Sequence, residues 1–201
     1  MVKSMAQARR DFTRDEILAM AERLFTEQGV RATSIGQVAE AVGMTRANLY
    51  YYFPSKDDLL RETLLVTLQR YRDNWARIPE DASLVEVADH VVTLRFAEVA
   101  RQGPLDLRFF YVLLTDQAGR DEADQVRAEI ESVSVRIQEA LVRGQDRGEV
   151  GSAVDVREAA YSVIMEIMGL DMLWLTNPDA LDLMETAAGI ARRFVDRVAT
   201  R

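Results

Sequence analysis

Apolar side chains recur along this chain at helical spacing, and almost nowhere do they alternate with polar ones over the length of a strand. Positions three and four residues apart share one face of a helix, whereas strict alternation is typical of a half-buried strand. The prolines Pro54, Pro79, Pro104 and Pro178 each stand at a break in the helical pattern. The pattern therefore predicts an all-α protein of about nine helices.

The residues at the breaks supply start and stop signals for these helices. Thr13 and Glu16 have the spacing of a capping box, in which each side chain binds a free backbone N–H at the start of a helix. Gly29 follows the first apolar stripe as a left-handed stop. Similar signals recur further along, and the predicted helices lie at about 13–29, 34–43, 45–52, 55–75, 84–102, 105–117, 121–147, 154–176 and 179–199.

The chain divides into a small N-terminal unit and a larger helical domain. We expect a helix-turn-helix unit of three helices over residues 13–54 and a C-terminal domain over 55–201, joined by the fourth helix. Residues 1–12 are expected to form a disordered tail that is not a signal peptide, because they contain charged side chains and no apolar run.

Residues 33–56, TSIGQVAEAVGMTRANLYYYFPSK, contain two short helices separated by a Gly-Met-Thr turn. This spacing is that of a helix-turn-helix, whose second helix enters the major groove of DNA. On the second helix, Leu49 and Phe53 share a face that can anchor it against the rest of the unit. Near its start, Arg46 can donate two hydrogen bonds to guanine and Asn48 can pair with adenine.

Short helix pairs joined by a glycine are common in helical proteins and most bind nothing, so spacing alone leaves a purely structural interpretation open. Three consecutive tyrosines, Tyr50, Tyr51 and Tyr52, favour DNA binding. Folding alone gives no reason to place three amphipathic rings on a helix this short. Tyrosine hydroxyls, with those of Ser34 and Thr45, can also bond to phosphate oxygens.

The same segment closely resembles the N-terminal signature of TetR-family transcriptional regulators. The resemblance rests on ATSI at 32–35, VAEAVGMT at 38–45 and NLYYYFPSKDDLL at 48–60, with FTEQG at 25–29 before them. It covers about residues 13–61. It implies an all-α homodimer with an N-terminal DNA-binding domain and a C-terminal domain that dimerises and holds a small-molecule effector.

The resemblance also implies DNA contacts, position by position. In the family, the start of the second helix touches phosphate, the third helix reads bases, and the residues that follow return to phosphate. The matching residues here are Ser34, Gly36, Gln37, Thr45, Arg46, Ala47, Asn48, Tyr50, Tyr51, Tyr52 and Lys56. Ala47 stands where a glycine is common and Arg46 occupies a variable position, so the operator sequence does not transfer.

Apolar residues of the C-terminal domain have two candidate roles. For a ligand pocket the candidates are mostly aromatic residues and methionines: Trp75, His90, Phe96, Phe109, Phe110, Tyr111, Met165, Met168 and Met172. For a dimer interface, which the resemblance places on the last two helices, they are Ala160, Val163, Ile164, Ile167, Leu183, Ala187, Ile190, Ala191 and Phe194. Packing within one chain remains an alternative for both sets. Arg95, Glu166 and Asp171 interrupt apolar stretches and are candidates for polar contacts to a ligand.

Composition narrows the possible chemistry. The chain of 201 residues has no cysteine and one histidine, which excludes disulfides, thiolate zinc sites, cysteine nucleophiles and multi-histidine metal sites. No catalytic, metal-binding or phosphate-binding motif occurs, so no cofactor is expected. The net charge is −8, yet residues 1–56 hold eight basic and six acidic side chains, so the whole acidic excess lies in 57–201. A weakly basic N-terminal segment followed by an acidic C-terminal domain favours DNA binding at the N-terminal end.

Together these features predict a ligand-responsive, DNA-binding transcriptional regulator of the cytoplasm. We expect a homodimer that represses from a palindromic operator and leaves it when a small-molecule effector binds. No membrane partner is expected, since no run of about 18 consecutive apolar residues occurs. Two alternatives stay open: a regulator of the same fold controlled by a protein partner or by no effector, and a helical enzyme. The single histidine and the lack of any catalytic motif disfavour the enzyme.

Overall fold

The computed structural model describes residues 13–102, 105–115 and 120–200. Its helices are α1 (Arg14–Gln28), α2 (Ile35–Ala41), α3 (Arg46–Tyr52), α4 (Lys56–Trp75), α5 (Leu84–Ala88), α6 (Arg95–Gln102), α7 (Leu105–Thr115), α8 (Arg120–Asp146), α9 (Val156–Thr176) and α10 (Leu183–Val198). A π-helical turn, Asp89–Leu94, joins α5 to α6 without a break, so the described residues form nine helices, a short 3₁₀ helix at Pro178–Ala180 and no strand. The all-α prediction is confirmed. The predicted tail, 1–12, lies outside the described residues.

Side-chain caps begin the N-terminal helices where the sequence predicts. The Thr13 side chain accepts a hydrogen bond from the backbone of Glu16, and the Glu16 carboxylate accepts one from the backbone of Thr13 at 2.9 Å. Ser34 and Gln37 form a second capping box, which was not predicted. Gly29, at φ 86°, ends α1. Because α2 and α3 have only seven residues each, the N–H groups satisfied by caps matter for their stability.

Two later helices differ from their predicted form. The helix predicted over 84–102 contains the π turn, in which backbone hydrogen bonds span one more residue than in an α-helix. The last helix begins about a turn later than predicted, at Leu183. Leu181 has an extended backbone, with φ −156° and ψ 154°, and the side chain of Asp182 then caps the new helix.

Two hydrophobic cores hold the helices together. The N-terminal core lies among α1 to α4 and also takes residues from α7 and α8. Phe25 of α1 and Phe109 of α7 stack there, fully buried, with ring centroids 6.4 Å apart. The C-terminal core joins α5, the π turn, α6, α8, α9 and α10. Apolar packing thus continues across residue 54, and the domain division at that residue stays a prediction.

Helix α9 is long and apolar enough to cross a membrane, with a mean hydropathy of 1.3 over its most apolar window. The core helix of a soluble protein has the same properties. Ala160, Val163 and Ile167 of α9 are buried in the C-terminal core. The composition of α9 is therefore no indication of a membrane span.

Candidate DNA-binding surface and ligand cavity

Helix α3 is held by one face and displays the other. Leu49, within the helix, and Phe53, at its end, are fully buried in the N-terminal core. Tyr50 and Tyr51, in contrast, are 49% and 86% exposed. An exposed ring removes little apolar surface from water on folding, so these tyrosines contribute little to holding α3 in place. The exposed face of α3 is available to a partner.

Side chains suited to reading bases lie at the start of the same helix. Arg46, Ala47 and Asn48 are all exposed. Among the described residues, none forms a hydrogen bond or ion pair with the side chain of Arg46 or Asn48. The Arg46 guanidinium rests against α2, since a Cβ built on Gly36 would lie 2.5 Å from its Nε atom. Glycine at this position leaves room for the flexible arginine, which can swing from there to a base edge.

Ser34, Gln37 and Thr45, which are predicted to contact DNA, already act as helix caps. The Ser34 hydroxyl donates to the Gln37 side-chain oxygen at 2.8 Å, and the Gln37 amide group donates to Gln28 at 3.0 Å. Thr45 accepts the backbone N–H of Asn48 at 3.2 Å. A hydroxyl has one hydrogen to donate and two lone pairs. Thr45 can therefore cap α3 and donate to a phosphate together, whereas Ser34 must exchange a partner to do so.

Tyr52 and Lys56, the remaining predicted contacts, are half-buried. The Tyr52 ring packs edge-on against Tyr51, with centroids 5.6 Å apart. The Lys56 ammonium donates to the backbone carbonyl of Arg31 at 3.3 Å. The predicted DNA contacts lie at the starts of α2 and α4 and along α3. The helices hold these residues in position, and most of their side chains are not needed to keep a helix folded.

Two ion pairs fix α1 to α4, and through them the orientation of the whole N-terminal unit. Arg14 donates to Glu62 through Nε at 2.9 Å. Glu22 is buried and accepts hydrogen bonds from Arg70 and from the Thr67 hydroxyl, each at 2.8 Å. Helix α1 also contacts α2, and α2 contacts α3, so α4 is connected to α3 through the N-terminal core.

A cavity of about 700 Å³, its open mouth included, lies between α4, the π turn, α6, α7, α8 and α9. The space enclosed between its walls is about 110 Å³. Because small-molecule sites span roughly 300–1,000 Å³, a ligand of that size would have to extend into the open mouth or move the walls apart. Most of its wall is aliphatic or aromatic, with Tyr71 from α4, Phe110 from α7, Ile130 from α8 and Ile167 from α9. The cavity is therefore suited to a molecule with a large apolar surface.

One wall of the cavity carries a buried ion pair. Arg95 of α6 donates to Asp171 of α9 through both terminal nitrogens, at 2.8 and 2.7 Å. The two side chains are 15% and 3% exposed. The Tyr111 hydroxyl of α7 donates to the same carboxylate at 3.2 Å. This polar cluster joins α9 to α6 and α7, which lie about 60 to 76 residues earlier in the sequence.

The surroundings of the cluster fix its protonation states. Burial by itself lowers the pKa of Arg95, but the charge of Asp171 and the hydrogen bonds to it more than offset this, so the pKa lies above its ordinary value. Burial raises the pKa of Tyr111, and the Asp171 carboxylate raises it further. At neutral pH Arg95 is a cation and Tyr111 is a neutral phenol.

Glu129 of α8 is the other carboxylate in the lining. It is buried and accepts a hydrogen bond at 2.9 Å from Nε of Arg72, a half-exposed residue of α4. This second pair lies at the edge of the cavity and joins α4 to α8.

The aromatic residues and methionines predicted to form the pocket fall in different places. Phe110, Tyr111 and Met168 line the cavity. Phe96 is fully buried in the C-terminal core and Phe109 in the N-terminal core, so neither belongs to the lining. Successive residues of a helix point in different directions, so Phe109 is fully buried in the N-terminal core while Phe110, which packs at the edge of that core, lines the cavity.

The other predicted pocket residues lie away from the cavity wall. Met165 and Met172 are on the outer face of α9, 65% and 46% exposed. His90 is half-buried in the π turn and is absent from the lining. The side chain of Trp75 lies outside the described residues. Glu166, a candidate polar contact, pairs with Arg197 of α10 at 2.6 Å rather than facing the cavity.

All the residues predicted for the dimer interface are buried within one chain, and they are Ala160, Val163, Ile164, Ile167, Leu183, Ala187, Ile190, Ala191 and Phe194. They form the C-terminal core, which was the alternative left open. The outer face of α9 carries a different apolar set, Met165, Gly169, Met172 and Leu173, all exposed. The dimer interface stays a prediction, and this exposed set is a second candidate for it.

Several lining residues carry no signal of their own in the sequence. Tyr71, Leu114 and Glu129 belong to three helices with ordinary apolar stripes, and only the packing of those helices brings them together. Arg95 and Asp171 were found by their sequence signal, an interruption of apolar stretches. Their mutual pairing follows only from the fold.

Comparison with known proteins finds similarity to bacterial regulators. Residues 17–63 match the family model described as bacterial regulatory proteins, tetR family. The HTH-type transcriptional regulator TtgR of Pseudomonas putida is 28% identical over 191 residues, covering 92% of this chain and 88% of TtgR. The HTH-type transcriptional regulator AcrR of Shigella flexneri is 29% identical over 181 residues, covering 87% of this chain and 84% of AcrR.

Similarity of fold extends over nearly the whole chain. The structure of SmeT, the repressor of the Stenotrophomonas maltophilia multidrug efflux pump SmeDEF, aligns with a TM-score of 0.76 at 22% identity. The alignment covers 94% of this chain and 92% of SmeT. The two proteins therefore share a fold.

Proposed function

We propose that this chain is a DNA-binding transcriptional regulator of the TetR family of bacterial regulatory proteins, and that it is a dimeric repressor which leaves a palindromic operator when a small molecule fills its cavity. The family consists of regulators, not enzymes. TetR-family regulators bind operator DNA and small-molecule ligands, typically as dimers, and are in general cytoplasmic. Three surfaces of this chain suit those partners.

The observation that carries the proposal is the exposed face of α3. Leu49 anchors the helix, while Tyr51 is 86% exposed and Arg46 and Asn48 are exposed at its start. An anchored helix with free hydrogen-bonding groups fits the major groove, where its N-terminal residues meet base edges. We assign Arg46, Ala47 and Asn48 to bases and the tyrosines to phosphates.

A ligand in the cavity would touch helices that hold the N-terminal unit. Tyr71 of α4 and Phe110 and Tyr111 of α7 line the cavity, while Phe109 of α7 stacks on Phe25 of α1. A displacement of α7 or α4 would therefore move α1 and α3. The ligand shifts the balance between two arrangements only by the difference in its affinity for them. The cavity favours small-molecule control over control by a protein partner or the absence of an effector.

The outer face of α9 suits a second copy of the chain. Met165, Met172 and Leu173 are 65%, 46% and 58% exposed. Apart from its own stretch of helix, Gly169 has no atom within 4 Å of the place where a Cβ would lie, so a partner helix can approach closely. A two-fold contact through this face would hold two α3 helices at a fixed separation, as operator half-sites about 34–36 Å apart require.

The proposal is tested by fluorescence anisotropy with labelled DNA from the region flanking the protein's own gene. We expect salt-sensitive binding that survives an excess of unrelated DNA of equal length, with two protomers bound per site. The double variant Arg46→Ala/Asn48→Ala should lose the preference for this DNA. Arg127→Ala, which removes an exposed arginine from α8, is the matched control and should retain it. Binding of equal strength to both DNAs would contradict the proposal.

The ligand arm of the proposal is tested with compounds that release the labelled DNA. Met168 lines the cavity, and Met168→Trp would fill part of it without touching α3. A compound that acts through the cavity should release the parent and not this variant. Equal release of both proteins would contradict control through this cavity and leave DNA recognition untouched.

A further inference from the structure

Charges around the cavity are balanced, which bears on the charge of its occupant. The charged residues of the lining are Arg95, Asp171 and Glu129. Asp171 pairs with Arg95 at 2.7 Å, and Glu129 pairs with Arg72 at 2.9 Å. Two guanidinium groups thus offset two carboxylates.

Burial makes this balance costly to disturb. The side chains of Asp171, Glu129 and Arg95 are 3%, 10% and 15% exposed. An ion carried into such surroundings loses its hydration, and a buried charge without a partner is far less favourable than a hydrogen-bonded polar group. A charged ligand would bring a charge for which the described lining residues hold no uncommitted charged partner.

The same wall offers hydrogen bonds to a neutral group. The bonds from Arg95 to Asp171 use two of the five N–H groups of the guanidinium. The Tyr111 oxygen donates its hydrogen to Asp171 at 3.2 Å and keeps its lone pairs. A ligand hydroxyl could accept from Arg95 and donate to Tyr111 at once.

Building on the proposed ligand control, we propose that the effector is an uncharged, largely apolar molecule whose hydroxyl or similar polar group lies against Arg95 and Tyr111. Its apolar body contacts Phe110, Ile130 and Ile167, which line the rest of the cavity. Ions of the same shape are rejected because of their charge and not because of their size.

A series of probes with one skeleton tests this assignment without any substitution in the protein. 1-Methylnaphthalene, 1-naphthalenemethanol, 1-naphthoate and 1-naphthylmethylammonium are titrated into the full-length protein near pH 7 by calorimetry. We expect the alcohol to bind about tenfold more tightly than either ion. We expect it to bind about threefold more tightly than the hydrocarbon, because its hydroxyl finds partners in the wall. An ion that bound as tightly as the alcohol would overturn the proposal.

Substitutions of the charged lining residues test whether charge is the cause of this selectivity. Asp171→Asn leaves Arg95 uncompensated and should shift the preference toward naphthoate by about tenfold, and Arg95→Gln should shift it toward the ammonium probe by a similar factor. The double variant is balanced again and should return to the parent's preference for the alcohol. Glu166→Gln is the matched control, because this α9 carboxylate pairs with Arg197 outside the cavity. An unchanged preference in both single variants would refute the charge argument.

If the single variants fail to fold, the double variant and the probe series on the parent protein test the proposal instead. If all four probes fail to bind at about 1 mM while operator DNA is still bound, ligand control through the cavity fails and this inference with it. If the probes bind Met168→Trp as well as the parent, they bind elsewhere and the inference is overturned. If an ion binds best and the Met168→Trp variant excludes it, only the inference falls and ligand control stands.

Discussion

On α3, the side chains that anchor the helix and the side chains that meet a partner are different residues, whereas in the cavity the same side chains join the helices and line the site. Leu49 is fully buried while Tyr51 is 86% exposed. Arg95 and Asp171, in contrast, both connect α6 to α9 and form a wall of the cavity. Binding and folding can therefore be separated by substitution in the first region, and they are coupled in the second.

Because the buried ion pair of the cavity also joins two helices, we expect its loss to have the largest effect on stability. Asp171→Ala leaves Arg95 buried and unpaired, and we expect it to lower the free energy of unfolding by about 3–5 kcal/mol. Urea denaturation followed by circular dichroism measures this.

Glu22→Ala in the N-terminal unit is the comparison for this prediction. Its partner Arg70 is 37% exposed and can be hydrated once the carboxylate is gone, so we expect a smaller cost of about 1–3 kcal/mol. Equal costs for the two variants would show that exposure of the partner does not govern these ion pairs.

Substitutions on α3 should separate folding from binding. Leu49→Ala removes a fully buried side chain and should cost about 2–5 kcal/mol of unfolding free energy. Tyr51→Ala should change that free energy by less than about 0.5 kcal/mol, because the ring is exposed, and yet weaken operator binding. Thermal denaturation and anisotropy on the same preparations measure both quantities. A Tyr51→Ala variant that unfolded would contradict the division of roles on this helix.

The same contrast explains how much the sequence could predict. In the N-terminal unit, each signal lies within a few residues of the structure it determines: Thr13 caps the helix it precedes, and Leu49 and Phe53 anchor the segment they belong to. The helices and the all-α fold were predictable for this reason. The exposure of α3 was predictable too, because a helix-turn-helix presents its second helix by local spacing, whereas the DNA contacts themselves stay a prediction.

The cavity depends on contacts between helices that are distant in sequence. Phe109 and Phe110 are neighbours of the same type, yet one stacks on Phe25 and the other lines the cavity. No local pattern distinguishes them. Whether each ring is buried in the core or lines the cavity depends on where α1 and α8 pack against α7. The predicted interface residues of α9 are buried in the C-terminal core, and the sequence could not show this, because buried and exposed apolar stripes of one helix look alike in sequence.

Arg46→Ala tests whether α3 determines the specificity for the operator sequence. Loss of a guanidinium that pairs with a base should reduce the discrimination between operator and single-base variants by about 1–3 kcal/mol at the position it reads. Stability should be unaffected, since Arg46 is exposed and none of the described residues pairs with its side chain. Competition binding with a set of singly substituted operators gives the discrimination directly. Equal losses at every base position would mean that Arg46 contacts phosphate instead.

Lys56→Ala should have the smallest effect and a different signature. A lysine that meets only phosphate weakens binding to all sequences alike, and its removal should lower the slope of log affinity against log salt by about one unit. Lys56→Arg keeps the charge and should restore the slope. Lys56 also donates to the Arg31 carbonyl, so the melting temperature of each variant is the control for a structural change. A variant that lost sequence discrimination with an unchanged salt slope would place Lys56 at a base and would break the assignment of α3 as the element that reads the operator.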